Sequence, residues 1–475
     1  MFFPVFSTGF LLRNEVIALS TELSPAHYDV HVKRDLGHGL LLRWSEANDT
    51  EEIVYLTSMV FRDAASAPPN THLENLVREL MSGRHPLMGP RDFVVIEDTR
   101  RAEHRIVACT CFWSQTWEYE GIRFGFGRPE IVATDPDYRN RGLVRTLFEE
   151  IHARSEAEGH LAQGITGISY FYRQFGYEYA LNLGGRRVTN LSLIPTANEN
   201  EPEPYTPRDA AEEDIPLILE LYDRRRRESI VTSPIEENWL RYHLRMWNVL
   251  ETDDNWHVQI IIDRAGMAVG FLLTPVVRWG KHMEVFALEV RPEVNLQAVL
   301  PPILRALAVQ GQHLKAKPGA GPLHEISFNL GVTHPVYDVL GSALTTRRVP
   351  PYAWYVRVPD VPRFLRHIAP VLKRRLLESP LGRYSGELHI TLYRSGLHLV
   401  FEDGTLKLAE SWRSPAYSTI EDAGFPPLVF LQLLFGYRSL DDLRYAFPDV
   451  WVKDEAELVL KTLFPMKPSW VVPMG

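Results

Sequence analysis

The sequence predicts a mixed α/β protein in three sections, the last of them α+β. Three observations carry this. Period-2 and period-3.6 apolar segments alternate from about residue 31 to residue 194. After a polar stretch rich in Pro, Glu and Asn (residues 194–209), a similar order of segments recurs. From about Pro359 the order changes to a helix, three short strands with tight turns, and two more helices. At 475 residues the chain has ample material for three cores.

In the first section, "GLLLRWS" (39–45) reads as a strand and "TEEIVYLTSMVF" (50–61) as a helix. "DFVVIED" (92–98), "RIVACTCFWSQTWEY" (105–119) and "IRFGFGRPEIVAT" (122–134) read as a meander of strands. The period shifts from 2 to 3.6 between Asp135 and Arg139, and a helix over 142–157 follows. The second section begins with a helix in "AAEEDIPLILELYDRRRR". It continues with strands over 256–263, 268–280 and 282–292 and a helix in "AVLPPILRALAVQG". Set over the first section, Pro136 falls on Pro292, Ala298 on Gly142, and "YRQFG" (172–176) on "YDVLG" (337–341), the pattern of a diverged internal repeat. In the third section, "VPRFLRHIAPVLKRRLLES" reads as one helix, and turns fall at Ser395-Gly396 and Asp403-Gly404. "PPLVFLQLLFG" and "SLDDLRYAF" read as helices.

A net charge of -9 argues against a nucleic-acid binder and is compatible with cationic substrates. The two cysteines, Cys109 and Cys111, share strand parity and read as half-buried residues in a reducing compartment. No metal site is expected. The apolar start "MFFPVFSTGFLL" is too short to span a bilayer and reads as an extension, so a cytoplasmic protein is expected. The runs 224–227 (RRRR) and 373–375 (KRR) read as solvated helix faces.

The chemistry concentrates in "DPDYRNRGLVRTLFEEI" (135–151). A helix N-terminus presents unpaired N–H groups and partial positive charge, which suits an anion. Gly142 permits close approach of backbone to that anion, and Arg139, Arg141 and Arg145 add charge-assisted bonds. The stretch reads as strand, phosphate-binding turn, helix. It is neither a Walker A loop nor a dinucleotide Gly-x-Gly-x-x-Gly.

The segment Arg139-Asn140-Arg141-Gly142-Leu143-Val144 resembles the Arg/Gln-x-x-Gly-x-Gly/Ala signature of the GNAT superfamily of N-acetyltransferases, with Val144 in place of the last small residue. "RNRGLVRTL" followed by "YFYRQFGYEYA" looks like the Eis-like (enhanced intracellular survival) branch. That resemblance implies tandem GNAT folds, each a central mixed sheet flanked by helices, plus a sterol-carrier-protein-like domain. The corresponding division is an extension over 1–29, a catalytic domain over 30–195, a degenerate copy over 205–358 and a sterol-carrier-like domain over 359–475. It implies acetyl-CoA as co-substrate. Its pyrophosphate would lie on Arg139, Asn140, Arg141, Gly142, Leu143, Val144, Arg145 and Thr146, and its pantetheine arm on the backbone of Val132, Ala133 and Thr134. It also implies a homo-oligomer.

Acetyl transfer by direct attack in a ternary complex needs a neutral amine and a proton for the departing thiolate. An amine of pKa about 10.4 is neutral in roughly one molecule in 2,500 at pH 7, a deficit of about 4.6 kcal/mol that a base offsets in part. By resemblance Tyr172 is the acid, in Tyr172-Arg173-Gln174-Phe175-Gly176-Tyr177, and Tyr177 is structural. For the base, Glu130 lies at the start of the strand leading to the turn. The resemblance offers the C-terminal carboxylate, here Gly475, and His160 and Glu118 are weaker candidates. Phe112, Trp113 and Trp117 are candidates for an acceptor pocket. The second section has Glu293-Val294-Asn295-Leu296-Gln297 at the turn, acidic and without Gly or Arg, so one cofactor per chain is expected.

The acceptor is expected to be a primary amine, on an aminoglycoside-like polyamine or a lysine. Two other readings are a lipid- or hydrophobe-binding protein and a CoA-binding sensor, each with a vestigial GNAT domain.

Overall fold

A computed structural model describes residues 28–198, 201–247, 249, 255–415 and 420–472. Gly475 and most of the 1–29 extension lie outside the described residues.

The first sheet is built on β1 (Lys33–Gly37), β2 (Leu40–Trp44), β3 (Phe93–Asp98), β4 (Ile106–Tyr119), β5 (Ile122–Thr134), β6 (Ala162–Ile165) and β7 (Glu178–Leu183). Strands β1 to β5 are consecutive antiparallel neighbours. The β4–β5 hairpin turns at Glu120 and Gly121, both left-handed (φ 44° and 88°), the turn that matches strand twist. Helices α1 (Thr50–Val60) and α2 (Thr71–Met81) cover one face, packing Ile53, Val54, Val77 and Leu80 on Phe93, Val95, Cys109 and Cys111. Helix α3 (Leu143–Ala157) covers the other, with Leu143, Leu147 and Ile151 on Leu42, Val94, Ile96 and Phe112. Both faces of β3 are therefore buried, which is why "FVVI" is apolar without alternation. Sequence periodicity passed over α2. Its start is marked by Asn70, whose side chain accepts from the backbone N–H groups of His72 and Leu73.

Cys109 and Cys111 are fully buried rather than half-buried, and both are free thiols. Burial pushes the Cys109 thiol up to about 12 and Cys111 well above its usual value. These are inert core groups.

The chain passes back and forth between the first two sections. Strand Tyr352–Arg357 inserts between β6 and β7, antiparallel to both. In exchange, β8 (Arg186–Asn190) joins a central sheet, between strands Glu325–Phe328 and Arg347–Val349. The expected strand 282–292 is broken at Phe286. Residues His282–Val285 pair with Glu325–Phe328, while Ala287–Val290 pair with Ala268–Pro275 in a different sheet. The expected strand 268–280 divides likewise, into Ala268–Pro275 and Val277–Arg278.

In the last section three antiparallel strands, Gly386–Thr391, Gly396–Glu402 and Thr405–Trp412, lead a five-stranded sheet. The expected single helix is two, Val361–His367 and Ala369–Leu377, divided beside Pro370, which supplies no N–H. This section shares a core with the distal half of the β4–β5 hairpin. Trp117, Tyr119, Phe124 and Phe126 pack with Phe364, Leu388 and Phe435.

The two arginine runs are not simply solvated faces. Arg225 and Arg375 are buried. Arg226 pairs with Glu118 of β4, and Arg375 bonds the Tyr119 hydroxyl (3.2 Å) and pairs with Glu120 (3.0 Å). These arginines fix the later sections to the hairpin.

One internal ion network carries a stability prediction. Arg43 bonds Asp49 (2.7 and 2.8 Å) and Glu97 (2.7 and 2.9 Å), with all three side chains largely buried. Arg43→Ala leaves two carboxylates with their common partner removed. It is expected to destabilise the first section by about 3 kcal/mol, read as a lower urea midpoint of the first unfolding transition.

Candidate functional site

The site is assembled where β5 ends, α3 begins and β6 diverges. The β5–β6 ladder is parallel and pairs only Phe126 with Ala162 and Gly127 with Gln163. β6 continues beyond that point, pairing through its other edge with Tyr352–Arg357, but makes no further ladder pair with β5. The β6-facing edge of β5 from Arg128 to Thr134 is therefore open. Sheet splaying of this kind leaves a slot lined by unpaired backbone donors and acceptors.

A bulge lies in the middle of that edge. Cys109 pairs with Ala133 and Cys111 with Glu130, so β5 holds one residue more than β4. Ile131 takes the left-handed conformation (φ 52°), uncommon for a β-branched residue. The strain is of order 1–3 kcal/mol and is held by its surroundings. Thr110 Oγ1 donates to the Glu130 carbonyl at 2.8 Å, and Cys111 Sγ approaches it at 3.3 Å. Alternation alone gave no sign of this bulge. A β-branched residue cannot announce a left-handed position as glycine does.

The turn after β5 is built by its own side chains. Asp135 accepts from the N–H of Asp137 (3.0 Å), and the Tyr138 hydroxyl donates to Asp98 (2.7 Å). Gly142 caps α3 with φ 77°, so a left-handed backbone demands glycine here. Among the described residues, its chain neighbours aside, nothing lies within 4 Å of the Cβ that Gly142 lacks. The cap has no side-chain acceptor and the first turn has no acidic residue, which leaves the helical N–H groups without the usual partners.

Arg139, Arg141 and Arg145 are all exposed around this end. Arg141 is braced by the Asp137 carbonyl (2.8 Å) and lies 4.6 Å over the Tyr138 ring. Arg145 reaches Gln174 (3.1 Å) and lies over Phe175 (5.2 Å). Thr134 Oγ1, at the strand end, is buried without a hydrogen-bond partner among the described residues. An open strand edge, an orphaned hydroxyl, uncapped N–H groups and three arginines form a continuous polar track along Val132, Ala133, Thr134, Arg139, Asn140, Arg141, Gly142, Leu143, Val144, Arg145 and Thr146. This fits a long ligand with an anionic end.

Tyr172 lies in a short helical turn, Phe171–Phe175, on the far side of the slot. Its ring packs on Phe148 of α3 (5.6 Å) and on Tyr355 (5.5 Å), and 3% of the residue is exposed. Burial first, then the charge of Glu130, push its phenol well above the usual range. The group stays protonated near neutral pH, which suits a proton donor. Tyr177 is fully buried, with its hydroxyl on His152 (3.0 Å) and its ring beside Phe148, as a packing residue should be.

Glu130 pairs with Arg128 at 2.9 Å. Arg128 lies between the rings of Trp113 (5.2 Å) and Trp354 (5.0 Å). Burial raises the Glu130 pKa by more than Arg128 lowers it. The result is a carboxylate of increased basicity, within electrostatic range of Tyr172.

The weaker base candidates are committed elsewhere. His160 is held between Ser114 (2.9 Å) and Ser155 (3.1 Å), and burial lowers its pKa to about 4. Glu118 is paired with Arg226 and Arg123. The three aromatic residues do not line one pocket. Phe112 is under α3, Trp117 stacks on Phe126 (3.5 Å) in the core, and Trp113 faces His85 (5.4 Å).

The segment 470–472 is anchored on residues 231–233. Trp470 N–H donates to the Val231 carbonyl (2.9 Å), and Val472 N–H to Ser233 Oγ (3.1 Å). Trp470 and Val472 pack in a cluster with Trp256, against Leu87 and Phe286, and Leu87 also packs on the cluster of Cys111 and Trp113.

The corresponding turn of the second section differs. Its helix, Leu296–His313, is capped by Asn295, whose side chain accepts from the N–H of Gln297 (3.0 Å). A side chain occupies the place that the first section leaves open.

The chain is similar to known proteins in sequence family and in fold. Residues 42–180 match the sequence family described as acetyltransferase (GNAT) domain. No curated protein matches the chain by sequence. A GCN5-related N-acetyltransferase from Kribbella flavida is 19% identical with a TM-score of 0.60, covering 92% of this chain and 98% of that one. A conserved protein of unknown function from Enterococcus faecalis, described as a probable N-acyltransferase, is 15% identical with a TM-score of 0.62, covering 94% and 100%. Eis1 from Mycobacterium abscessus is 11% identical with a TM-score of 0.52, covering 91% and 99%. At these identities the shared property is the fold.

Proposed function

We propose that this chain, whose residues 42–180 are a GNAT acetyltransferase domain, transfers acetyl from acetyl-CoA to a primary amine by direct attack in a ternary complex. The observation that carries this is the continuity of the open β5 edge with the uncapped, arginine-lined start of α3.

In this reading the pyrophosphate rests on the N–H groups of residues 141–146, with Arg139, Arg141 and Arg145 around it. The pantetheine arm adds to the β5 edge at Val132 to Thr134, where it replaces the missing β6 ladder. The bulge at Ile131 directs backbone groups at the thioester. Tyr172 gives its proton to the departing thiolate. Glu130 takes a proton from the attacking amine, directly or through water. Such positioned acid–base groups contribute about 10²- to 10⁴-fold each. A second candidate base, from the same resemblance, is the Gly475 carboxylate. Val472 belongs to a cluster against which Leu87 packs, and Leu87 also packs against the cluster of Trp113.

The Asn295-capped helix supports one cofactor per chain. The last section is read as a sterol-carrier-like domain that shapes the core around the hairpin. The acceptor is an aminoglycoside-like polyamine or a lysine side chain, and a homo-oligomer follows from the same resemblance. Among the described residues no helix is long and apolar enough to cross a membrane.

The test is release of free CoA thiol from acetyl-CoA with a panel of polyamines, aminoglycosides and lysine peptides. Amine-dependent release is expected. Release equal to the amine-free background throughout would leave a CoA-binding sensor as the better reading. Glu130→Gln is expected to lower turnover and to change the pH profile. As a base, Glu130 works ionised, so the rate rises as pH climbs through its elevated pKa. The acid limb of the unmodified chain then lies above the ordinary carboxylate range and disappears in the variant. An unchanged profile would remove Glu130 and shift the role to the chain end.

A further inference from the structure

The last section carries a second chemical cluster, apart from the transfer site, on the outer face of its sheet. Alternation along the three leading strands sends Leu388, Ile390, Leu397, Leu399 and Phe401 into the core. The opposite parity presents Glu387, His389, His398 and Glu410. His389 pairs directly with His398 across one ladder, and His398 with Glu410 across the next. Glu387 is one pleat from His389 on the same strand.

The side chains converge. The rings of His389 and His398 stack at 4.4 Å with an interplanar angle of 9°. One ligand atom from each of Glu387, His389 and His398 lies within 4.8 Å of the others. His398 Nε2 and Glu387 Oε2 are 3.0 Å apart. Tetrahedral zinc, with bonds of about 2.0–2.2 Å, needs ligand atoms roughly 3.3–3.6 Å apart. To share one ion the two rings must also turn out of their stack, so that their nitrogen lone pairs converge.

The outer nitrogens add an independent observation. His398 Nδ1 bonds Glu410 at 3.1 Å, and Asp422 Oδ2 lies 3.7 Å from His389 Nδ1. His398 thus has a hydrogen-bonded carboxylate behind it, the arrangement that fixes tautomer and ring direction in metal-ligating histidines, and His389 has one nearby. Asp422 is itself fixed, accepting from the His389 N–H (2.8 Å) and facing Lys453 (3.7 Å). Both rings are largely buried, at 18% and 16% side-chain exposure, so their orientations are constrained.

We propose that Glu387, His389 and His398 form a zinc site on the outer face of the C-terminal sheet, with Glu410 and Asp422 orienting the two imidazoles. Three protein ligands leave a fourth position to water. The ion ties the first two strands of the sheet together. This revises the expectation of no metal, and it stands independently of the acetyl-transfer reading.

The test is equilibrium dialysis of the tag-free full-length chain against zinc, with bound metal read by elemental analysis. About one zinc per chain is expected to be retained. His389→Ala and His398→Ala should each abolish retention, and Glu410→Gln should weaken it by about 10- to 100-fold. Cobalt in place of zinc should give the visible bands of a tetrahedral ion in the unmodified chain only. Circular dichroism checks that each variant is folded, and His389→Gln replaces any alanine variant that is not. No retained zinc, or equal retention by the folded histidine variants, overturns the proposal and leaves a salt-bridged imidazolium.

Discussion

Tyr172→Phe is expected to lower turnover by about 10²- to 10⁴-fold while acetyl-CoA affinity stays within about twofold. The reasoning is local. The ring is held by Phe148, Tyr355 and Tyr177, and these contacts survive loss of one oxygen. The hydroxyl makes no hydrogen bond to another described residue that its loss would leave unpaired. Its raised pKa, from burial and from Glu130, keeps the phenol protonated, so a proton is at hand where the thiolate departs. Steady-state kinetics beside a direct binding titration separate the two effects. Equal turnover in the variant would remove Tyr172 as the acid, and a parallel loss of affinity would make it a binding residue.

Gly142→Glu is expected to weaken acetyl-CoA binding by more than about 100-fold, roughly 3 kcal/mol. The fold should survive. A new Cβ meets nothing within 4 Å among the described residues, its chain neighbours aside, and a carboxylate at a helix N-terminus interacts favourably with the helix. The left-handed backbone costs a non-glycine residue about 1–2 kcal/mol, which thermal unfolding should report as a small shift. What the carboxylate opposes is a second anion at the same N–H groups. Gly142→Ala separates the two terms, since it carries the backbone cost without the charge. It should lose only a few-fold in affinity.

Much of this site could be read from the letters. The change of period at Asp135, the arginines and the glycine located the turn, and α3 begins at Leu143 as its apolar stripe requires. The contrast with the second section was visible as an acidic turn without Gly or Arg; that Asn295 caps the helix there came from the structure. The bulge was not legible. It depends on how β5 is held against β4 by Thr110 and Cys111, and a period of 2 continues through it unchanged. Nor was the insertion of Tyr352–Arg357 between β6 and β7. Local pattern identifies a strand, whereas its partner nearly 200 residues away is chosen by the packing of Trp354 and Tyr355 in the first section. The division at Phe286 has the same origin, two short ladders in different sheets that read as one run. The cluster on the C-terminal sheet was likewise scattered over Glu387, His389, His398 and Glu410 until the ladders aligned them.

The central claim is that the open edge of β5 and the start of α3 hold one acetyl-CoA. Calorimetric titration of the purified chain with acetyl-CoA tests it most directly. The account predicts saturable binding at about one site per chain, absent in Gly142→Glu. No saturable binding, even with candidate amines present, or binding that Gly142→Glu leaves intact, would contradict it.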